Sequence, residues 1–162
     1  MAKYGDWDDL RKILDNMADE RKLGQHLQTA TEANAADAQR EIVQGIQSQR
    51  WSDWPPLAES TVQSKLRQGR HKSAGGIKTL IDTGQLINNI TYKIQDGFTA
   101  VVGVMKGARR KGGEDLVNIA EVHEFGSRDG KIPARPYLMR GARAAQSRMI
   151  NRWAEAVKKT WK

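Results

Sequence analysis

Leu80-Ile81-Asp82-Thr83-Gly84 contains the Asp-Thr-Gly triplet of aspartic proteases, in which one carboxylate shares a proton with a second across a symmetric site. In those enzymes a strand follows the triplet. Here Gln85-Leu86-Ile87-Asn88-Asn89 follows, which reads as one helical turn with Asp82 or Thr83 as its cap. Gly75-Gly76-Ile77-Lys78-Thr79 holds the residue types of a phosphate-binding loop, but Ile77 separates glycine from lysine and no strand pattern precedes it. His123-Glu124 lacks the second histidine one helical turn later that a zincin requires, and His26 and His71 lie far away in sequence. The chain has no cysteine, which excludes disulfides, thiolate metal sites and a cysteine nucleophile, and no Gly-x-Ser-x-Gly elbow occurs. No catalytic, metal or cofactor site is expected, and the protein is read as a non-enzyme.

Residue types suited to recognition are more abundant. Trp51 and Trp54 could stack on bases, yet beside Pro55-Pro56-Leu57 they are better suited to plugging a groove in their own or a neighbouring subunit. The net charge of +8 is unevenly spread. Residues 1–60 carry 7 basic and 11 acidic side chains, residues 61–130 carry 11 and 7, and residues 131–162 carry 9 and 1. An acidic end and a basic end suit head-to-tail contact between identical subunits, and the basic end could also meet nucleic acid. Arg109, Arg110, Lys111, Arg140 and Arg143 are the candidates for contact with DNA or with a subunit.

The elements that must carry these residues follow from periodicity. Trp7, Leu10, Leu14 and Met17 predict a helix over 7–23, with Asp6, Asp8 and Asp9 at its positive end and a break or kink at Gly24. A second helix is expected over 27–49, where Leu27, Ala30, Ala38, Ile42 and Ile46 form a stripe thin enough to suggest exposure or packing on another subunit. Pro55 and Pro56 end it, and a short helix over 60–68 starts at Ser60. Ile90, Tyr92, Ile94, then Asp96-Gly97, then Phe98, Ala100, Val102 and Val104 predict a β-hairpin over about 90–105 with a type I′ turn. Residues 69–78 and 107–113 read as mobile basic loops, 116–125 as a helix or strand closed by Gly126, and 131–136 as extended between Pro133 and Pro136. A long C-terminal helix over 137–161 should bury Leu138, Ala142, Ala145, Met149, Trp153 and Val157. With 162 residues the chain suits one α+β domain, an antiparallel sheet packed against N-terminal helices and the C-terminal helix. No stretch approaches the ~20 apolar residues that span a bilayer, and the first residues show no secretory signal.

The order of several segments goes beyond a generic α+β reading. Trp54-Pro55-Pro56-Leu57-Ala58-Glu59-Ser60-Thr61 with Lys65 is followed by Leu80-Ile81-Asp82-Thr83-Gly84-Gln85-Leu86 with Ile90, then by Val102-Gly103-Val104. Ala120-Glu121-Val122-His123-Glu124-Phe125-Gly126 and Ile132-Pro133-Ala134-Arg135-Pro136-Tyr137-Leu138 close the series. Over roughly residues 40–145 the chain resembles the virion morphogenesis proteins of tailed phages, also described as tail-completion or head–tail joining proteins. Asn88-Asn89-Ile90 departs from that pattern, which usually has a small residue before the Ile, and the 107–113 loop is long for it.

The resemblance implies a structural subunit of the neck or tail, forming a ring, sixfold in the family's manner, through which DNA passes. The implied partners are copies of itself and adjacent neck, connector, tail-terminator or tail-tube proteins, with transient contact to double-stranded DNA and none to a membrane. The implied location is the virion, after assembly in the host cytoplasm. Trp54, Leu57, Thr83, Gly84, Leu86, His123, Glu124, Phe125, Gly126, Pro133, Arg135 and Pro136 are then the interaction or scaffold residues. Arg135, stiffened by its flanking prolines, is expected to meet a carbonyl or a carboxylate and to act together with Glu124 or Glu121. A basic nucleic-acid-binding protein is the alternative reading.

Overall fold

The computed structural model describes residues 11, 12, 14, 15, 20–70 and 76–160. The order of elements is α1 (Glu20–Gln47), α2 (Glu59–Arg67), α3 (Gln85–Asn88), β1 (Ile90–Ile94), β2 (Ala100–Val104), α4 (Leu116–Phe125) and α5 (Leu138–Thr160). The architecture is α+β. The two strands pair antiparallel, with Ile90 opposite Val104 and Ile94 opposite Ala100, and both pack on α1, whose other long contact is with α5. Ile42, Ile46, Leu86, Ile87, Ile90, Ala120 and Tyr137 form the buried cluster that joins these elements.

The α1–α5 contact is close because it is made by small residues. Ala30, Ala35, Ala38 and Gly45 are buried on α1, and Gly141, Ala145 and Ala156 on α5. A Cβ at Gly141 would stand 2.6 Å from Ile42 Cα, so only glycine admits this approach. The thin stripe of α1 therefore belongs to a helix pair inside one chain, which corrects its assignment to exposure or another subunit. The expected break at Gly24 is also overturned, because α1 runs through it. A helical glycine costs about 1 kcal/mol relative to alanine, and docking that starts two residues later, where His26 meets Thr160 at 3.1 Å, outweighs it. Most of the helix expected over 7–23 lies outside the described residues; 11, 12, 14 and 15 are helical and exposed.

Several local expectations are corrected by side chains with other partners. Ser60 is not a cap: α2 starts one residue earlier, and Thr61 and Val62 donate to the Ala58 carbonyl. Gly84, with φ of 78°, precedes α3 in place of an Asp82 or Thr83 cap, because the Asp82 carboxylate is drawn to Arg70 and Arg110. The hairpin does not use a type I′ turn. Only Gly97 takes positive φ, and the Asp96 carboxylate accepts from Phe98 N (3.0 Å) and Thr99 N (2.7 Å), while Gln95 N donates to Thr99 O across a wider loop. Local capture of backbone by an aspartate thus displaces the two-residue turn.

The 107–113 stretch is a hydrogen-bonded turn, not an open arm. Arg110 and Glu114 share a backbone bond of 2.7 Å, Arg109 bridges to Asp115, and Leu116 N donates to Ala108 O. Of the other expected arm, 71–75 lie outside the described residues, while Arg70 pairs with Asp82 and Lys78 Nζ donates to Gln47 O. On α5 the buried face is offset from the expected one. Ala145 is buried as expected, but Gly141, Ala156 and Thr160 replace Trp153, which is exposed.

Candidate functional site

Three segments, Trp54 to Pro56, His123 to Gly126 and Pro133 to Leu138, meet at one corner of the fold. The helical pattern of 116–125 ends at Gly126, whose φ of 88° turns the chain so that Arg135 N donates to His123 O at 2.7 Å. A Cβ on Gly126 would lie 3.1 Å from Ala134 N and 3.2 Å from Ile132 O, so a side chain would push these two strands of chain apart. From the last turn of α4, the buried Glu124 reaches the start of α5 and accepts three backbone N–H bonds, from Tyr137 (2.7 Å), Leu138 (2.9 Å) and Met139 (3.2 Å). These are donors that a helix start leaves without intrahelical partners, and the carboxylate also meets the positive end of the helix.

Arg135 is buried and donates from Nε to Pro55 O (3.0 Å) and from NH2 to Pro56 O (2.8 Å). Burial lowers its affinity for the proton from the ordinary guanidinium value, and two carbonyls compensate for the lost water. The expectation of a carbonyl partner holds. Of the two acids expected to act with it, Glu124 caps α5 at the same corner and Glu121 is exposed, so Arg135 and Glu124 act side by side on different partners. Trp54 completes the corner, donating Nε1 to Pro136 O at 3.3 Å and lying 5.0 Å from Trp51, whose ring covers Gly45. The two tryptophans thus fill a groove of their own chain. Pro133 is exposed, and Phe125 is 76% exposed at the edge of the corner.

Beside the corner lies a cleft of about 420 Å³. Leu57, Leu80, Leu86, Leu116 and Ile119 give it apolar walls, with Thr83 and Gly84 at one side. Lys65, buried on α2, donates Nζ to Lys78 O (2.9 Å) and Ile81 O (2.5 Å) and so holds the wall where Leu80 takes an uncommon φ of 62°. Burial pulls the Lys65 ammonium below the ordinary lysine pKa, and the Asp82 charge partly opposes this. Desolvation, aided by Arg135, likewise lowers the His123 imidazole from its usual value. Two buried atoms in the cleft, Asp82 Oδ1 and His123 Nδ1, have no hydrogen-bond partner among the described residues. Asp82 is the one carboxylate among the lining residues and is engaged by Arg70 and Arg110, so the proton-sharing pair of a protease has no second member here. The chemistry the cleft offers is the seating of a side chain with an apolar body and a polar tip.

The basic candidates divide. Arg140 grips Asp53 with both nitrogens at 2.5 and 2.6 Å, and Arg110 pairs with Glu114 and Asp82. Arg109 reaches only the Gly113 carbonyl, at 3.4 Å, while Arg143 and Lys111 are exposed and their side chains have no ion pair among the described residues. An unforeseen cluster lies across the α1–α5 contact. Asp37 is buried and is met by Arg148 (2.9 Å), Arg152 and Arg40; Arg148 also reaches Glu41, and Arg152 reaches Asn34. Asp37 is one of four acidic residues on α1, with Glu20, Glu32 and Glu41, and although Arg40 is local, its partner Arg148 lies 111 residues away.

Among the described residues no group of His, Asp and Glu is placed to hold a metal ion, and no helix is long and apolar enough to cross a membrane. In comparison with known proteins, no family model matches the chain, and no curated protein or solved structure is found to be similar to it.

Proposed function

We propose that the chain is a structural subunit of a tailed-phage neck or tail, acting in tail completion or head–tail joining by assembling with copies of itself and adjoining virion proteins. The observation that carries this reading is the meeting at one corner of three of the segments that resemble virion morphogenesis proteins. Trp54-Pro55-Pro56, His123-Glu124-Phe125-Gly126 and Pro133 to Leu138 are joined there through Glu124, Arg135 and Trp54. A rigid corner with Phe125 left at its edge suits a building block that presents a fixed apolar contact to a neighbour. The polar groups of the corner bond backbone, which is scaffold chemistry. The commitment of Arg140 and Arg110 to carboxylates of the same chain weighs against the nucleic-acid-binding alternative.

Mass measurement of the purified protein, alone and with added tails, tests the proposal. A ring, or incorporation into tails, supports it. A protein that stays monomeric under both conditions, or that is absent from infectious particles, overturns it. Steep loss of binding to DNA with rising salt, and no self-assembly, would favour the alternative.

A further inference from the structure

The side of α5 turned away from α1 carries a second stripe. Met139, Arg143, Gln146, Ile150, Trp153 and Val157 recur at alternating steps of four and three residues, the heptad spacing that keeps side chains on one helix face. Met139 is 57% exposed, Ile150 56% and Trp153 42%, whereas the face toward α1 consists of Gly141, Ala145, Ala156 and Thr160. Arg143 stands inside the exposed stripe with no ion-pair partner among the described residues, while Arg140, Arg148 and Arg152 are tied to carboxylates of their own chain.

The opposite end of the sequence has the complementary character. Trp7, Leu10, Leu14 and Met17 recur at helical spacing among Asp6, Asp8, Asp9, Asp15 and Asp19. Residues 11, 12, 14 and 15 are helical, and Leu14 is 54% exposed. Residues 1–20 hold six acidic and three basic side chains, against nine basic and one acidic in residues 131–162. The α5 stripe thus combines exposed apolar side chains with Arg143, and the N-terminal sequence combines apolar residues at helical spacing with aspartates.

We infer that the acidic N-terminal stripe of one copy docks on the exposed α5 stripe of a second copy. The inference rests on the reading that the chain assembles with itself, and it names the surfaces involved. Trp153 and Trp7 supply the large apolar anchors, and Arg143 within the seam pairs with an aspartate of the incoming segment and fixes its register. Because the donor segment and the acceptor face are two different surfaces of the chain, the contact is heterologous and repeats from copy to copy, closing into a ring where its rotation closes.

The absence of cysteine makes the test direct. Full-length Leu14→Cys carrying a size tag is mixed with untagged Met139→Cys, Ile150→Cys or Trp153→Cys and oxidised; the exposed Thr91→Cys on β1 serves as the control. A mixed disulfide between chains is expected with at least one α5 position, about tenfold above the control and weakened about tenfold by Arg143→Glu. Assembly of the unmodified protein, seen by mass, together with mixed disulfide no greater than the control would overturn this contact and leave the proposed function standing. A monomer alone and with added tails would overturn both.

Discussion

The Glu124 carboxylate accepts the backbone N–H of Tyr137 at 2.7 Å and, with its two oxygens, those of Leu138 and Met139 as well. One buried side chain at the end of α4 thereby starts α5. Capping residues usually come from the turn just before the helix. Here the cap comes from thirteen residues upstream, so it joins two helices as well as satisfying one.

Replacing Glu124 with alanine is expected to destabilise the fold by about 2–3 kcal/mol, the sum of a lost cap and buried N–H groups left unpaired. Glu124→Gln keeps one acceptor oxygen and should cost about half as much. Urea unfolding midpoints at constant m-value check this, and equal, negligible effects for both variants would show that solvent satisfies the helix start.

Tyr137 offers the opposite sign. Its ring is fully buried and its hydroxyl has no hydrogen-bond partner among the described residues. Burial, reinforced by the Glu124 charge, raises its phenol pKa well above the ordinary value. Tyr137→Phe removes a desolvated hydroxyl without changing the ring, so stability should be unchanged or rise by about 1 kcal/mol. A loss of stability in thermal unfolding would mean that the hydroxyl is bonded in solution.

Arg135 distinguishes shape from charge. Nε and NH2 reach two successive carbonyls, those of Pro55 and Pro56, which a single ammonium on a flexible stem does not reproduce. Arg135→Lys is therefore expected to lose about 1–2 kcal/mol, nearly as much as Arg135→Ala. Full retention of stability by the lysine variant in a denaturant titration would refute the fork geometry.

How far the sequence revealed this fold depended on whether the partner was local. The strands and the C-terminal helix were legible because alternation and helical spacing are short-range signals, whereas 116–125 stood between helix and strand, a choice that the Asp115 cap decides for helix. The buried face of α5 was misread because Gly141 and Ala156 pack closely while Trp153 stays in water, and hydropathy ranks these residues in the reverse order. The continuity of α1 through Gly24 was hidden for a related reason: the stabilising contact is with the far end of the chain, as His26 and Thr160 illustrate. Of the site, Arg135 was recognisable as a residue that would meet a carbonyl or a carboxylate, but the capping of α5 by Glu124 was not, because its partners lie in another element. Of the partners of Asp37 only Arg40 is local, while Arg148 and Arg152 come from the far end of the chain; the 107–113 turn looked open although Arg110 pairs locally with Glu114, because its other pair, with Asp82, is non-local.

Gly141 is the tightest point of the helix pair, since a Cβ there meets Ile42 backbone and side chain. Gly141→Val is expected to lower stability by about 1–3 kcal/mol through overpacking, more than the same change at Gly24, where a Cβ would meet nothing within 4 Å. Comparable losses at both sites in thermal melts would place the cost in helix propensity and remove the close contact.

The pH dependence follows from three groups whose folded pKa values are depressed, His123, Asp37 and Glu41. For His123 the folded chain binds the proton less well than the unfolded chain, because burial first and Arg135 second oppose the imidazolium. Stability is therefore complete above the ordinary value of 6.5 and falls as the pH drops below it, since the unfolded state takes up the proton first. Asp37 is held below its ordinary 3.8 by the Arg148 hydrogen bond and by the charges of Arg148, Arg40 and Arg152, against the opposing effect of burial. Its contribution is present above 3.8 and is lost on further acidification through the folded value. The melting temperature should thus decline in two stages, a shallow one below pH 6.5 and a steeper one below pH 4 where Glu41, lowered chiefly by Arg50, joins Asp37. His123→Gln should flatten the first stage and leave the second, and Asp37→Asn should do the reverse. A first stage that persists unchanged in His123→Gln would refute the burial of His123 as its source.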